Sequence, residues 1–493
     1  MAEAQKLDAL TADTVEMSDF EKLVQQEFKP ATEEASGAVQ DAVKTLVGQA
    51  LENVSLVSSD TIATIEGIIA ALDKKLTEQV NLIIHHEDYS KLEGAWRGLD
   101  YLVSNTQTSE SLKIRVFNIS KPEIAKTLKR FKGTAWDQSP LFKKFYEDEY
   151  GTAGGEPFGA LIGDYYFNHT PQDVEVLKGI AQIASASHMP FISAADPSIM
   201  NLDSWQDLAN PRDVGKIFTT PEYMAWRSFR ESEDSRYVAL TLPRVLSRTP
   251  YGAKSNPVEE FDFEEDTGAG DSTKYNWMNA AYSMGVNINR SFANYGWCAN
   301  IRGVESGGAV QGLPTHTFPT DDGGLAMKCP TEIAITDRRE AELSKNGFLP
   351  LIHWKNTDFA VFLGGQTVNK PAEYDSADAT ANASLSARLP YIFASSRFAH
   401  FLKCIVRDKI GSFKERADME RFLSDWISKY VTGDPSAPEE VKAKYPLSEA
   451  RVEVDSVEGQ PGYYNAKFFL KPHYQLEGLT ASLRLVTKVP TGK

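Results

Sequence analysis

The tetrad His85-His86-Glu87-Asp88 brings together side-chain types that bind zinc or relay protons. A zinc site on a helix needs its histidines four residues apart, so that both imidazoles leave the same face. Adjacent histidines diverge. The tetrad therefore reads as a solvated helix end, where cationic side chains suit the helix dipole. Asp321-Asp322-Gly323-Gly324 offers carboxylates to a cation but lacks the ligand series of a calcium loop, and reads as a turn. Gly151–Gly155 is not followed by the Lys-Ser/Thr of a phosphate loop, and no GxGxxG follows a strand. Gly303–Gly307 (GVESG) has the wrong spacing for a nucleophile elbow. Cys298, Cys329 and Cys404 are far apart, odd in number and form no CxxC pair. That argues against a disulfide framework or a zinc site and fits a reducing compartment. The histidines are scattered, which leaves only a triad assembled in space as a route to nucleophilic chemistry. No residue is thus expected to bind a metal or cofactor.

One charged stretch remains, Arg230-Glu231-Ser232-Glu233-Asp234-Ser235-Arg236, lying between a helix-like segment and a strand-like run. It has two readings. Solvated ion pairs would contribute little to stability. A subunit contact would use the same charges, Arg230, Glu231, Glu233, Asp234 and Arg236, to set register.

The bulk numbers agree with a folded chain. The chain has 493 residues, 42% hydrophobic and 24% charged, enough for several domains with large cores. Its formal net charge of −16 leaves no footprint for non-specific nucleic-acid binding but could complement a basic partner. The N-terminal residues lack the basic-then-apolar order of a signal peptide, and no run is apolar enough to insert in a membrane.

The elements that must carry any function change character along the chain. Phe20, Leu23 and Val24 form an apolar stripe on a short helix capped by Ser18-Asp19, suited to docking on its own domain or in a partner's groove. Val39, Val43, Leu46 and Leu51 follow helical spacing from about Ser36. Further helices are expected from Ile62 to Ile83 and from Tyr89 to Ser104. This all-helical region would need a partner helix to bury its stripe. Then strands and helices alternate: Leu112–Ile119, Phe158–Phe167, the helix Pro171–His188, Phe191–Ala194 and Tyr237–Leu242. Apolar runs separated by helices predict parallel strands with both faces covered and a right-handed crossover. Gly252–Ser272 and Gly303–Gly324 read as long loops. Trp277–Ala299 reads as a helix; Cys329–Ile335, Gly347–His353 and Phe359–Leu363 read as strands. A long helical region, Ala379–Ile410, continues through Lys414–Tyr430, and Asp434–Lys444 reads as a polar linker. The tail alternates again, in Ala450–Val457, Tyr463–Leu470 (with Phe468) and Leu479–Val489 (with Leu483, Leu485 and Val486). Such terminal strands either close the chain's own sheet or pair with another subunit.

The wording of several segments resembles the large subunit of the type VI secretion contractile sheath, the TssC or VipB family. The matching residues include Ala194-Ala195-Asp196-Pro197, Trp205-Gln206-Asp207-Leu208, Asn210-Pro211-Arg212-Asp213, Trp226–Tyr237 (WRSFRESEDSRY), Gly163–Phe167 (GDYYF) and Pro472–Leu479 (PHYQLEGL). They cover essentially the whole chain after its first 17 residues. The resemblance implies an α/β sheath-type core with mixed or parallel sheets under helices, a helical N-terminal region, and C-terminal strands exchanged between subunits. The expected divisions are 1–57 as arm, 58–433 as core, and 434–493 as linker and exchanged strands. It implies co-polymerisation with a small TssB/VipA-like subunit around a tube of Hcp, in the bacterial cytoplasm, seated on a baseplate. In some members a ClpV-type AAA+ ATPase grips an N-terminal helix, here Phe20, Leu23 and Val24. Val39, Val43, Leu46 and Leu51 would pack on the small subunit; Phe468, Leu470, Leu483, Leu485 and Val486 would pair between subunits. It implies no cofactor, nucleic acid or membrane insertion. A phage-tail or bacteriocin sheath and a cytosolic α/β enzyme are the rival readings.

Overall fold

The computed structural model describes residues 37, 41, 61–210, 213–268, 270–320, 322–410, 415–457, 464–473 and 475. They belong to two compact units, Met1–Tyr89 with Pro250–Gly268, and Ser90–Thr249 with Ala269–Lys493.

In the smaller unit, helix α1 (Thr61–Ile84) carries the acidic loop as a strap. The Asn81 amide donates to Glu264 O (3.1 Å), and its oxygen accepts from Asp266 N (2.8 Å). Glu265, held between these bonds, lies 3.6 Å from His85. His85 is thus not the solvated end expected; only His86 is exposed. The apolar stripe is also rotated by one residue at its end, since Ile84 is buried while Ile83 is exposed.

The larger unit begins with most of α2 (Glu87–Ser104), followed by α3 (Lys121–Arg130), β1 (Leu161–Phe167), α4 (Pro171–Ser187), β2 (Phe191–Ala195), α5 (Met224–Arg230) and β3 (Val238–Leu242). Next come β4 (Val245–Leu246), β5 (Trp277–Met278), α6 (Ala280–Tyr295), β6 (Ala309–Val310), β7 (His316–Pro319) and β8 (Leu325–Lys328). They are followed by α7 (Asp337–Lys345), β9 (Leu349–His353), β10 (Ala360–Phe362), α8 (Ala377–Ser386), α9 (Leu389–Lys409) and α10 (Arg416–Ser428). Last are α11 (Glu439–Lys444), β11 (Leu447–Ser456) and β12 (Tyr464–Pro472).

The central sheet has six strands in the order β1-β2-β3-β9-β10-β6. β1, β2, β3 and β9 run parallel, and β10 is antiparallel to both its neighbours. The expected strand–helix–strand crossover is β1–α4–β2. Helix α4 starts where Thr170 caps Asp173 N and Pro171 occupies the first turn, and it ends at His188, whose φ is 53°. Alternation then sorts the strands between two layers. Phe191 and Ala195 of β2, with Val238, Leu240 and Leu242 of β3, meet α4, Trp205, Trp226 and Phe229. Ile192 and Ala239 point the other way, to Ala281, Met284 and Ile288 of α6. This is the mixed α/β fold expected, with helices on both faces of the sheet.

Several local expectations change. Among the described residues, Leu112–Ile119 joins no sheet. Cys329–Ile335 is not a strand; the strand lies just before it, as β8, paired with β7. Gly303–Gly324 is not all loop, since β6 completes the sheet and β7 begins a hairpin. The helix expected from Trp277 starts at Ala280, because Trp277 and Met278 pair with Leu246 and Val245. The stretch read as a polar linker carries α11, with Ala437 and Ala443 buried.

Candidate functional site

The charged stretch is a bolted corner. Arg230 ends α5 and is only 7% exposed. Its Nε donates to Val368 O at 2.9 Å, and Nη2 reaches Lys345 O at 3.5 Å. Burial lowers its pKa to about 10, with nearby Glu231 opposing the shift, so it stays charged at neutral pH. Around it, the Asn369 amide donates to Arg230 O, Ser232 O and Ser235 Oγ, and Lys370 N donates to Arg230 O at 2.7 Å. Arg230 is therefore scaffold: its donors serve carbonyls of its own chain, and its side chain is not at the surface. Glu231 and Glu233 are exposed, Asp234 and Arg236 half-buried. Arg236 pairs with Glu233 at 2.9 Å, and Glu231 with Lys370 at 3.7 Å.

The C-terminal hairpin is built differently. β11 and β12 pair antiparallel in a sheet of their own, with Ala450 opposite Leu470, Val452 opposite Phe468 and Val454 opposite Ala466. Those residues form its inner face, against a cluster containing Trp297, Phe398, Leu402, Leu423 and Ile427. The Trp297 and Phe398 rings lie tilted with centroids 4.6 Å apart, and Tyr430 meets both edge-on. The outer face carries Glu449, Arg451, Asp455, Lys467, Phe469 and Lys471. Lys467 pairs with Asp455 at 3.1 Å, and Arg451 lies over the exposed Phe469 ring at 4.8 Å. Phe468 and Leu470, the two expected pairing residues in this hairpin, thus turn their side chains inward and anchor it to α9 and α10. Phe20, Leu23, Val24, Val39, Val43, Leu46, Leu51, Leu483, Leu485 and Val486 lie outside the described residues.

Sequence reasoning missed two internal ion pairs. Arg244 grips Glu332 through two 2.8 Å bonds. Arg248 reaches Glu93 at 2.7 Å, both side chains buried. Burial pushes the Glu93 carboxyl up, but Arg248 and Arg97 more than offset it and hold it below the usual range. Their partners lie far apart along the chain, so spacing could not reveal them.

Among the described residues, no three His, Cys, Asp or Glu side chains are grouped to hold a metal. A cavity of about 30 Å³ beside Tyr391, Lys442 and His473 has room for a water. Among the described residues, no helix is long and apolar enough to cross a membrane.

Comparison with known proteins decides the family. Residues 66–369 match the model of the EvpB/VC_A0108 tail sheath N-terminal domain, and 378–489 that of the tail sheath gpW/gp25-like domain. The chain is 68% identical over 481 residues to the type VI secretion system sheath protein TssC1 of Pseudomonas aeruginosa, covering 97% of each. The chain belongs to the TssC/VipB family of type VI secretion sheath proteins. The N-terminal TssC/VipB model takes in the six-stranded sheet; the C-terminal one takes in α8 to α11 and the hairpin. Solved structures that overlap the chain include the anti-feeding prophage baseplate, at a TM-score of 0.38 and 11% identity over 80% of this chain and 87% of that one. Another is the PVC contractile injection sheath in its contracted state, at 0.32 and 12% over 63% and 67%. The assignment to the TssC/VipB family rests on the sequence matches alone.

Proposed function

We propose that this chain is the large subunit of a type VI secretion sheath, co-polymerising with a small TssB/VipA-like subunit into a helical tube around Hcp. The tube stands on a baseplate in the bacterial cytoplasm and contracts to propel the inner tube. Kinship with sheath proteins supports a structural role, and the reading assigns the chain no reaction of its own. The observation that carries it is the hairpin. Two strands alone make a marginal sheet, yet β11 and β12 are anchored firmly on one face and, among the described residues, form a ladder only with each other. Such a sheet is ready to grow by strands of other subunits. Leu483, Leu485 and Val486 then belong to the exchanged strand. Val39, Val43, Leu46 and Leu51 meet the small subunit, and Phe20, Leu23 and Val24 are the segment a ClpV-type ATPase grips. Glu231, Glu233, Asp234 and Arg236 supply surface charge to a neighbouring subunit.

Co-expression with the small subunit tests this. Wild type is expected to give tubes by negative-stain electron microscopy. Leu483→Pro or Leu485→Pro removes a ladder donor and is expected to abolish tubes while leaving thermal unfolding of the core unchanged. Normal tubes from either variant would count against strand exchange.

A further inference from the structure

Lys113–Asn118 (KIRVFN) is strand-like in sequence and runs without turn, bend or helical bond. Its flanks are tied: Leu112 O accepts from Ser109 N, and Ile119 O accepts from the Tyr165 hydroxyl at 2.7 Å. Between these ties, no main-chain N–H or C=O bonds any described residue. The side chains nonetheless fix the segment in place. Ile114 packs with Leu102, Tyr282 and Val286. Lys113 and Arg115 pair with Glu156, and Arg115 also with Glu149, while the Arg115 guanidinium lies 5.5 Å from the Phe158 ring. Phe117 meets Phe145 edge-on at 6.0 Å. Val116 and Phe117 remain 66% and 47% exposed.

A segment held straight by its side chains, with its backbone left open, is organised in advance to receive a strand. The ordering cost of pairing has already been met by the fold. We propose that Lys113–Asn118 is a β-augmentation site filled by an extended segment of the small sheath subunit, whose apolar side chains cover Val116 and Phe117. This rests on the co-polymer reading above. A second copy's Leu479–Val489 is the less suitable occupant. The reading above already places that strand against the β11–β12 hairpin, so it is not free to fill a second site.

The test uses the full chain co-assembled with the small subunit. A photo-crosslinker, p-benzoylphenylalanine, replaces Phe117, and the crosslinked partner is identified in the assembled sheath. The small subunit is the expected partner; a second copy of this chain, or no crosslink in intact tubes, would overturn the proposal. Hydrogen exchange gives an independent reading, since amides of 113–118 should slow by about 100-fold on assembly. Fast exchange in intact tubes would refute strand pairing and leave the sheath function standing. Wild-type chain that forms no assembly with the small subunit would overturn both. Val116→Pro is expected to reduce tube yield at least tenfold, and Val116→Ala to leave it unchanged. A Val116→Ala loss equal to that of Val116→Pro would assign the effect to the side chain and refute backbone pairing.

Discussion

β2 and β3 are sealed, and the β11–β12 hairpin is half open. Every residue of Phe191–Ala195 and Val238–Leu242 is buried, with side chains feeding layers on both faces and neighbouring strands on both edges. The hairpin buries alternate residues on one face and shows charges on the other. Near-continuous apolar sequence suits the first, and apolar–polar alternation suits the second. The same backbone geometry therefore serves two ends. A sealed strand stabilises the body and offers nothing to a neighbour. A half-open one offers a neighbour a surface while one face stays attached. Damage to the first should unfold the chain; damage to the second should fall on assembly.

The largest effect is expected at Trp226. It is fully buried beneath β3, stacked at 6.1 Å on Phe348 and beside Phe229. Trp226→Ala leaves a cavity in this buried layer and should cost about 3–5 kcal/mol. Thermal or denaturant unfolding would read it, with loss of soluble chain. A change under about 1 kcal/mol would mean that this layer is not as sealed as its burial indicates.

His400 sharpens the contrast, because it sits where α9 meets the end of α4. Its Nε2 is 2.9 Å from Ser187 O, and the ring lies 5.2 Å from that of Tyr150 and 6.3 Å from that of His188. Burial lowers its pKa to about 4; the bond to Ser187 opposes this, while Arg397, His188 and Lys403 add to it. The unfolded chain takes up this proton near pH 6.5, and the folded one only near pH 4. Between those values the unfolded state binds more protons, so stability falls as the pH falls. The contribution is full above pH 6.5 and lost by about pH 4, up to about 3 kcal/mol. His400→Gln should flatten that part of the stability profile measured by denaturant unfolding. An unchanged slope would assign the dependence to other groups, His188 among them.

What could be read in the sequence follows from how local the causes are. PFISAA and YVALTL announce buried strands because their apolar runs are complete and bounded by turn residues. The hairpin announces itself by alternation. Arg230 looked like surface charge because nothing within its own stretch tells of Val368 and Lys345, which lie 138 and 115 positions away and take its donors. β6 has two residues, too few for any period, and pairs only because β10 lies beside it. Leu112–Ile119 shows the reverse error: its strand chemistry was legible, but pairing depends on a second strand, and no described residue supplies one.

The smallest effect separates adjacent residues of one strand. Phe468 turns inward, opposite Val452, against the cluster of Trp297, Phe398 and Leu423. Phe469 turns outward, 48% exposed, with Arg451 over its ring. Phe468→Ala should cost the free chain about 2 kcal/mol, less than a fully buried phenylalanine because its site is partly open. Phe469→Ala should cost within about 0.5 kcal/mol, since an exposed cation–π contact is weak. Denaturant unfolding of the two variants gives the comparison directly. Equal costs would mean that the hairpin buries both faces within one chain. In that case its outer surface would not be available to a neighbouring subunit, and the distinction between a sealed core and a half-open hairpin would fail at the point where it matters most for assembly.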